Sequence, residues 1–393
     1  MPRFCLLAVL AGLVLGCAGG AETETPRLVA TPSAGLLDEP LRLTLTGAPA
    51  DARVTFRAVA RETGGRQWAA ARTIVADRSG RAELRNGAAL LSALTPLRGP
   101  TTLLVPERVS LQARSGRRVL ARTTVTRRTA APELATRSLT LAKDGLVGRY
   151  AAISGAAGPA VLELGGSEGG TPFGGTAELL ASRGFPTLAL AYFREPGLPQ
   201  ELAKVPLEYF ESALRWLGRQ PGVDPARIVV LGTSRGGEAA LLVGSAFPAL
   251  VAGVVSYVGS SVVNPSPNLP TAAWTLGGKP MPTIVRDEFG NTRPRDPAAE
   301  IAVERIDGPV LLVSGVSDEL WPSAAYAIAI VDRRKAAGLA TTSLTGLYAG
   351  HSVGIGLPNI AARPRGGTRE ADAALRARAW RHVLRLLREL PRR

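Results

Sequence analysis

The sequence predicts two folded units in one chain, an all-β sandwich followed by a mostly parallel α/β sheet flanked by helices. Three observations lead there. Between residues 28 and about 130, short runs alternate apolar and polar residues and are separated by Gly-, Pro- and Asp-rich turns, the pattern of half-buried strands. From about residue 138, strand-like apolar runs alternate with stretches of helical periodicity, which builds a mostly parallel sheet. Within that second half, Ile228-Val229-Val230-Leu231-Gly232-Thr233-Ser234-Arg235-Gly236-Gly237 places Gly-x-Ser-x-Gly between a strand and a helix. In that context the pattern is a nucleophile elbow.

Composition narrows the function classes. At 393 residues the chain is long enough for two cores. With 46% hydrophobic and 20% charged residues it is globular rather than disordered. The net charge is +15 and comes almost entirely from arginine, since lysine occurs only at Lys143, Lys204, Lys279 and Lys335. No block of five or more basic residues is present, so the charge reads as arginine spread over a solvated surface, with no nucleic-acid partner. Both cysteines, Cys5 and Cys17, fall at the start of the chain, so the folded part has no disulfide framework, thiolate metal site or Cys nucleophile. The two histidines, His351 and His382, are too few for a multi-histidine zinc site, and no metal or cofactor is expected.

Taken in order, residues 1–20 combine Arg3, the apolar run Phe4 to Leu15 and a small-residue exit, which describes an export signal. Val14-Leu15-Gly16-Cys17 resembles a bacterial lipobox and makes Cys17 the candidate lipidation site. The expectation is an exported, membrane-anchored lipoprotein at the cell surface or in the periplasm, with an ordinary cleaved signal as the alternative. Residues 21–27 would be a tether. Strands are expected at 41–46, 53–59, 109–114 and 118–125, with Ser115-Gly116 as a hairpin turn. The segment Arg127 to Thr136 reads as a linker.

The α/β unit spans 138–393. Its expected strands are 159–164, 187–193, 228–232, 251–258, 310–315 and 342–348. Its helices are 176–183, 205–219, the segment after Ser234, 324–337 and about 370–390. Leu207, Phe210, Leu214 and Leu217 give the second of these helices its apolar face. The Pro-rich stretch of about 260–300 lacks periodicity and reads as a cap insertion.

A serine hydroxyl needs a base, and the base needs an orienting acid. In folds with this elbow the chain order is Ser, acid, His. Asp318 follows the strand ending at Gly315, and His351 follows the next strand, so both fall at the edge where such sheets place functional groups. His382 competes, but it lies inside a helix among cationic neighbours. Asp307 precedes its strand, and Glu319 stands one position further on. The oxyanion hole needs backbone donors. The Arg235 N–H is one, and Gly165-Gly166-Ser167 supplies the other, from Ser167 or alternatively Gly166.

With these residues assigned, the chain resembles the acyl-CoA thioesterase and bile acid-CoA:amino acid N-acyltransferase family. The resemblance spans nearly all of residues 28–390. It rests on Val29-Ala30-Thr31-Pro32, Asp38-Glu39-Pro40, Leu179-Leu180-Ala181-Ser182-Arg183-Gly184-Phe185 and Ala189-Leu190-Ala191-Tyr192-Phe193. Leu207-Glu208-Tyr209-Phe210-Glu211, Gly308-Pro309-Val310-Leu311-Leu312, Trp321-Pro322-Ser323 and Gly350-His351 complete it. It implies an Ig-like N-terminal sandwich, a C-terminal α/β-hydrolase domain and a triad of Ser234, Asp318 and His351. The implied reaction is attack on an acyl-CoA thioester, an acyl-enzyme and release by water. The amino-acid-conjugating branch usually carries Cys as nucleophile, so Ser234 favours hydrolysis over transfer. The alternatives are an exported carboxylesterase or lipid esterase of the same fold, and a surface binding protein with a degenerate hydrolase domain.

Overall fold

The central feature is an eight-stranded sheet. Its strands are β1 (Leu134–Leu139), β2 (Val147–Ile153), β3 (Gly158–Leu164), β4 (Thr187–Ala191), β5 (Val223–Thr233), β6 (Gly253–Tyr257), β7 (Val310–Gly315) and β8 (Thr341–Gly346). A computed structural model of the chain describes residues 25–62, 64–100, 103–172, 174–285 and 297–391. The expected export signal with Cys17, and residues 286–296 of the expected cap, lie outside the described residues. The strand order is β1-β2-β4-β3-β5-β6-β7-β8. β2 runs antiparallel to both neighbours, and β3 to β8 are mutually parallel.

Parallel strands joined by helices are covered on both faces, so their residues are apolar throughout. Every residue of β4, β6 and β7 is buried. Side chains alternate across the sheet. Ile228 and Val230 therefore join the core under helices α2 (Leu207–Gly218), α3 (Arg235–Ala246) and α4 (Ser323–Ala336). Val229 and Leu231 join the opposite core under α1 (Thr176–Ser182) and α5 (Arg369–Glu389).

The N-terminal unit has two sheets. One holds the strands Arg27–Thr31, Arg42–Thr46 and Ala82–Leu84. The other has six strands, with Arg53–Arg61, Gln67–Val75, Arg108–Ser115 and Arg118–Arg128 as its long members. Both contribute to one apolar core that includes Leu43, Phe56, Trp68, Val109 and Val125.

One strand was not expected, and two expectations need correction. The strand Gln67–Val75 carries a run of three alanines and an arginine and so lacks alternation, but it pairs along its whole length with Arg53–Arg61. The antiparallel strands β1 and β2 precede the first strand expected in the α/β unit, which therefore starts near residue 134 rather than 138. Arg127 is no linker residue. It is 1% exposed, sits in a strand and donates to the Pro32 carbonyl at 3.1 Å, which leaves 129–133 as the connection.

Asp38 ties the two units together. Its side chain is 4% exposed and accepts from Arg183 Nε and Trp380 Nε1, each at 2.9 Å, so one carboxylate holds both α1's end and α5. Removing Asp38 leaves the Trp380 N–H without its acceptor, while Arg183, a quarter exposed, keeps Glu39 at 3.3 Å, so the cost is that of an unsatisfied buried donor, about 1–3 kcal/mol. Asp38→Ala is expected to lower denaturant-measured stability by about that amount, and more than Asp38→Asn does.

Glu163 on β3 is 7% exposed. Burial pushes its carboxyl up to about 8, aided by Glu178 and opposed by the Thr176 hydroxyl, Arg149 and the Ala177 N–H. The folded state holds this proton more tightly than the unfolded one. The contribution to stability is therefore most favourable below the ordinary value of 4.5 and falls as pH rises through about 8. Glu163→Gln should leave Tm nearly unchanged at about pH 5 and raise it at about pH 9, as a melting series across pH would register.

Candidate active site

β5 ends on Thr233 and α3 begins on Arg235, so the whole reversal happens at Ser234. Its backbone takes φ 56° and ψ −117°, a region that L-residues seldom occupy. Glycines make the turn feasible. A Cβ at Gly232 would collide with the Gly236 carbonyl, and one at Gly236 with the carbonyls of Leu164 and Gly165. The Ser234 N–H donates to Tyr257 O at 2.8 Å and its carbonyl accepts from Glu238 N at 3.0 Å, which holds the strained residue from both sides.

The loops after β7 and β8 bring Asp318 and His351 to this point. Ser234 Oγ lies 3.0 Å from His351 Nε2. His351 Nδ1 lies 2.9 and 3.0 Å from the two Asp318 oxygens. The His351 and Asp318 side chains are 7% and 1% exposed. Burial pushes the Asp318 carboxyl up, but hydrogen bonds from His351, Ser323 and the Leu320 N–H, with the charge of His351, outweigh it and hold the group below its ordinary value. An ionised Asp318 fixes a proton on Nδ1 and leaves Nε2 free to accept the Ser234 proton. The rival residues stand elsewhere: His382 is on α5, Glu319 is exposed, and Asp307 lies before β7.

The loop after β3 lies against the nucleophile, where a Cβ at Gly166 would stand 3.3 Å from Ser234 Cβ. Tyr192 Oη holds this loop by donating to Gly165 O at 2.6 Å. The two candidate donors now separate. The Gly166 N–H is occupied, donating to Glu168 Oε1 at 2.8 Å. The N–H groups of Ser167 and Arg235 meet no protein acceptor among the described residues.

Several supporting residues escaped sequence reasoning. The Arg235 side chain is 5% exposed and donates to Glu238 Oε2 at 2.8 Å, Asn264 O at 3.0 Å and Pro265 O at 3.1 Å. Glu238, 0% exposed, also accepts from Trp274 Nε1 at 2.7 Å and from the Asn264 N–H at 3.0 Å. This network pins the first turn of α3 to the segment expected as a cap. Its partners lie far apart along the chain, so no local pattern announces it.

Behind the histidine, Asp372 Oδ1 accepts the Gly350 N–H at 2.7 Å and Arg376 Nη1 donates to Ser352 O at 3.1 Å. Both residues come from α5 and are 1% exposed. Burial pushes the Arg376 guanidinium down to about 10, with Asp372 opposing. Their spacing of four on a helix was the available signal, read only as amphipathicity. Trp321 packs edge-on at 6.0 Å from the imidazole and donates to Val258 O at 2.7 Å.

An elbow serine, a relayed histidine and a buried aspartate on this sheet order define an α/β hydrolase. Residues 205–389 match the family described as BAAT / acyl-CoA thioester hydrolase C terminal. Acyl-coenzyme A thioesterase 1 of Rattus norvegicus is 29% identical over 343 residues, covering 77% of this chain and 78% of the relative. The peroxisomal succinyl-coenzyme A thioesterase of Mus musculus is 29% identical over 340 residues, covering 77% and 79%. Residues 205–389 thus match the C-terminal domain of this family, the chain is similar to acyl-CoA thioesterases over about three quarters of its length, and it is a hydrolase. Among solved structures, a dienelactone hydrolase-like promiscuous phosphotriesterase from metagenomic libraries superposes with TM-score 0.44 at 19% identity, covering 66% of this chain and 99% of that one. The esterase Est22 gives 0.44 at 17% identity, covering 66% and 82%.

Asp372 and Arg376 hold the backbone on either side of His351, with Arg376 also donating to Ile360 O at 3.3 Å, so they act by positioning the imidazole. Asp372→Ala is expected to lower kcat by about 10- to 100-fold, because small displacements of a reacting group are costly, with KM nearly unchanged. Steady-state kinetics on a soluble ester checks the split.

Proposed function

We propose that this protein is a serine hydrolase that cleaves acyl thioesters through an acyl-enzyme on Ser234. The observation that carries the reading is the continuous relay from Ser234 Oγ through His351 to Asp318, beside two unoccupied N–H groups. His351 Nε2 takes the Ser234 proton as Oγ bonds to the acyl carbon. The carbonyl electrons move to oxygen, which the N–H groups of Ser167 and Arg235 stabilise. Collapse breaks the carbon–sulfur bond, and the imidazolium returns its proton to the departing thiolate. Water, deprotonated in turn by His351, attacks the acyl-enzyme; the acid leaves and Oγ regains its proton. The thioester preference draws on the printed names of the relatives. In this reading the N-terminal sheets form an Ig-like sandwich that braces the catalytic unit.

One observation favours a second substrate class. The Phe4 to Leu15 leader with Cys17 describes export as a membrane-anchored lipoprotein, and outside the cytoplasm acyl-CoA esters are scarce. Oxygen esters, including lipid esters, would then be the physiological substrates of the same machinery.

Ser234→Ala should lower kcat by about 10⁴-fold or more, and Asp318→Asn by about 10⁴-fold through the wrong imidazole tautomer. A fluorophosphonate probe should label the wild type and not Ser234→Ala. Hydrolysis at the wild-type rate by Ser234→Ala would refute the assignment. Matched series of acyl-CoA and oxygen esters decide between the substrate classes.

A further inference from the structure

The arginines are not spread evenly. In the six-stranded N-terminal sheet, burial alternates along Arg53–Arg61: Val54, Phe56, Ala58 and Ala60 are buried, and the residues between them face outward. The ladder carries this outer face across its neighbours. Arg57 pairs with Ala71 and Gln112, Gln112 with Arg122, Thr55 with Thr73 and Arg114, and Arg61 with Gln67. The outer face of these four strands therefore presents Arg53, Arg57, Arg61, Arg108, Arg114 and Arg122. Between them stand small or neutral residues such as Thr55, Ala69, Ala71, Ser110 and Thr124, and no Asp or Glu occupies an outward position.

None of the six arginines forms an ion pair among the described residues. Glu62, beside the end of the strand Arg53–Arg61, is taken by Arg66 Nε at 2.9 Å and Trp68 Nε1 at 3.2 Å. Successive arginines on the strand Arg53–Arg61 stand about 13 Å apart, and the face is about 15 Å across its four strands. A face that carries one sign of charge and no counter-charge sets up a positive potential that attracts an extended anionic partner.

We propose that this face docks on an anionic lipid bilayer. A sheet face suits a planar array of headgroups better than a nucleic acid, because it offers no aromatic side chain for base stacking and no helix for a groove. The chain's own length agrees. From Cys17 to the first strand at Arg27 there are ten residues, an extended reach of about 35 Å. That strand belongs to the three-stranded sheet, and a leader seated in a bilayer would keep the whole N-terminal unit, the arginine face included, near the headgroups. The docking adds to the hydrolase reading and does not depend on it; only the tether argument rests on the export reading.

The test is flotation of the full-length protein with vesicles of phosphatidylcholine alone, or of phosphatidylcholine mixed with phosphatidylglycerol. The comparison is with Arg57→Gln/Arg114→Gln/Arg122→Gln. Any contribution of the apolar leader is shared by both proteins and both vesicles. Wild type should favour the anionic vesicles, and salt should weaken that preference. The triple variant should lose about 100-fold of it, since each basic residue near an anionic surface is worth about fivefold. An unchanged Tm and unchanged hydrolysis of a soluble ester would show that the variant folds and that docking fails separately from catalysis. Equal wild-type binding to both vesicles, retained preference in the triple variant, or tighter binding to duplex DNA than to anionic vesicles at equal phosphate would each overturn the proposal.

Discussion

The close approach of β5 to α3 is the constraint on which the site depends. A strand can reverse into a helix at one residue only if the backbones before and after it nearly touch. Gly232 and Gly236 leave the room for that contact, and Ser234 takes the strained conformation between them. Such strain persists only when the surroundings over-determine it. Here the surroundings are the Tyr257 carbonyl, the Glu238 N–H and the loop of Gly165 and Gly166, all packed on the same few atoms. The geometry that exposes Oγ is the geometry that brings the Arg235 N–H and the Ser167 loop to its side.

Buried charges then hold the remaining pieces. Arg235 and Glu238 fasten the first turn of α3 to Asn264 and Trp274. Asp372 and Arg376 grip the backbone around His351. Asp38 joins the N-terminal unit to α1 and α5. Each is expensive to bury and pairs with charged, amide or carbonyl partners, which suits positions where a wrong arrangement must be disfavoured. α5 takes part in two of the three. A helix from the chain's end therefore sets both the seat of the base and the contact between units.

Much of this was legible in residue order. The elbow has a local signature because the steric demand falls on residues adjacent in sequence. Asp318 and His351 could be placed because parallel strands end at one edge, so each strand's end predicts a side chain's location. What escaped notice has no local signature. Gln67–Val75 is a strand because its neighbour pairs with it and not because its pattern alternates. Residue order favoured Ser167 as the second donor but kept Gly166 as an alternative, and the contact that occupies the Gly166 N–H, from the Glu168 carboxylate, has no signature in the sequence.

Sequence by itself determined the order of the strand-rich and alternating halves, the turn at Ser234, the placement of Asp318 and His351 at neighbouring strand ends, and the motifs shared with relatives, because each depends on periodicity or on neighbours along the chain. Tertiary structure alone decided the rest. It selected the partners of Arg235, Asp372 and Asp38, and it gathered arginines from three strands onto one unneutralised face. The reason is physical. Such contacts join residues tens to hundreds of positions apart, and the register of strands and the packing of helices, rather than composition, set which charges meet and which are left for solvent.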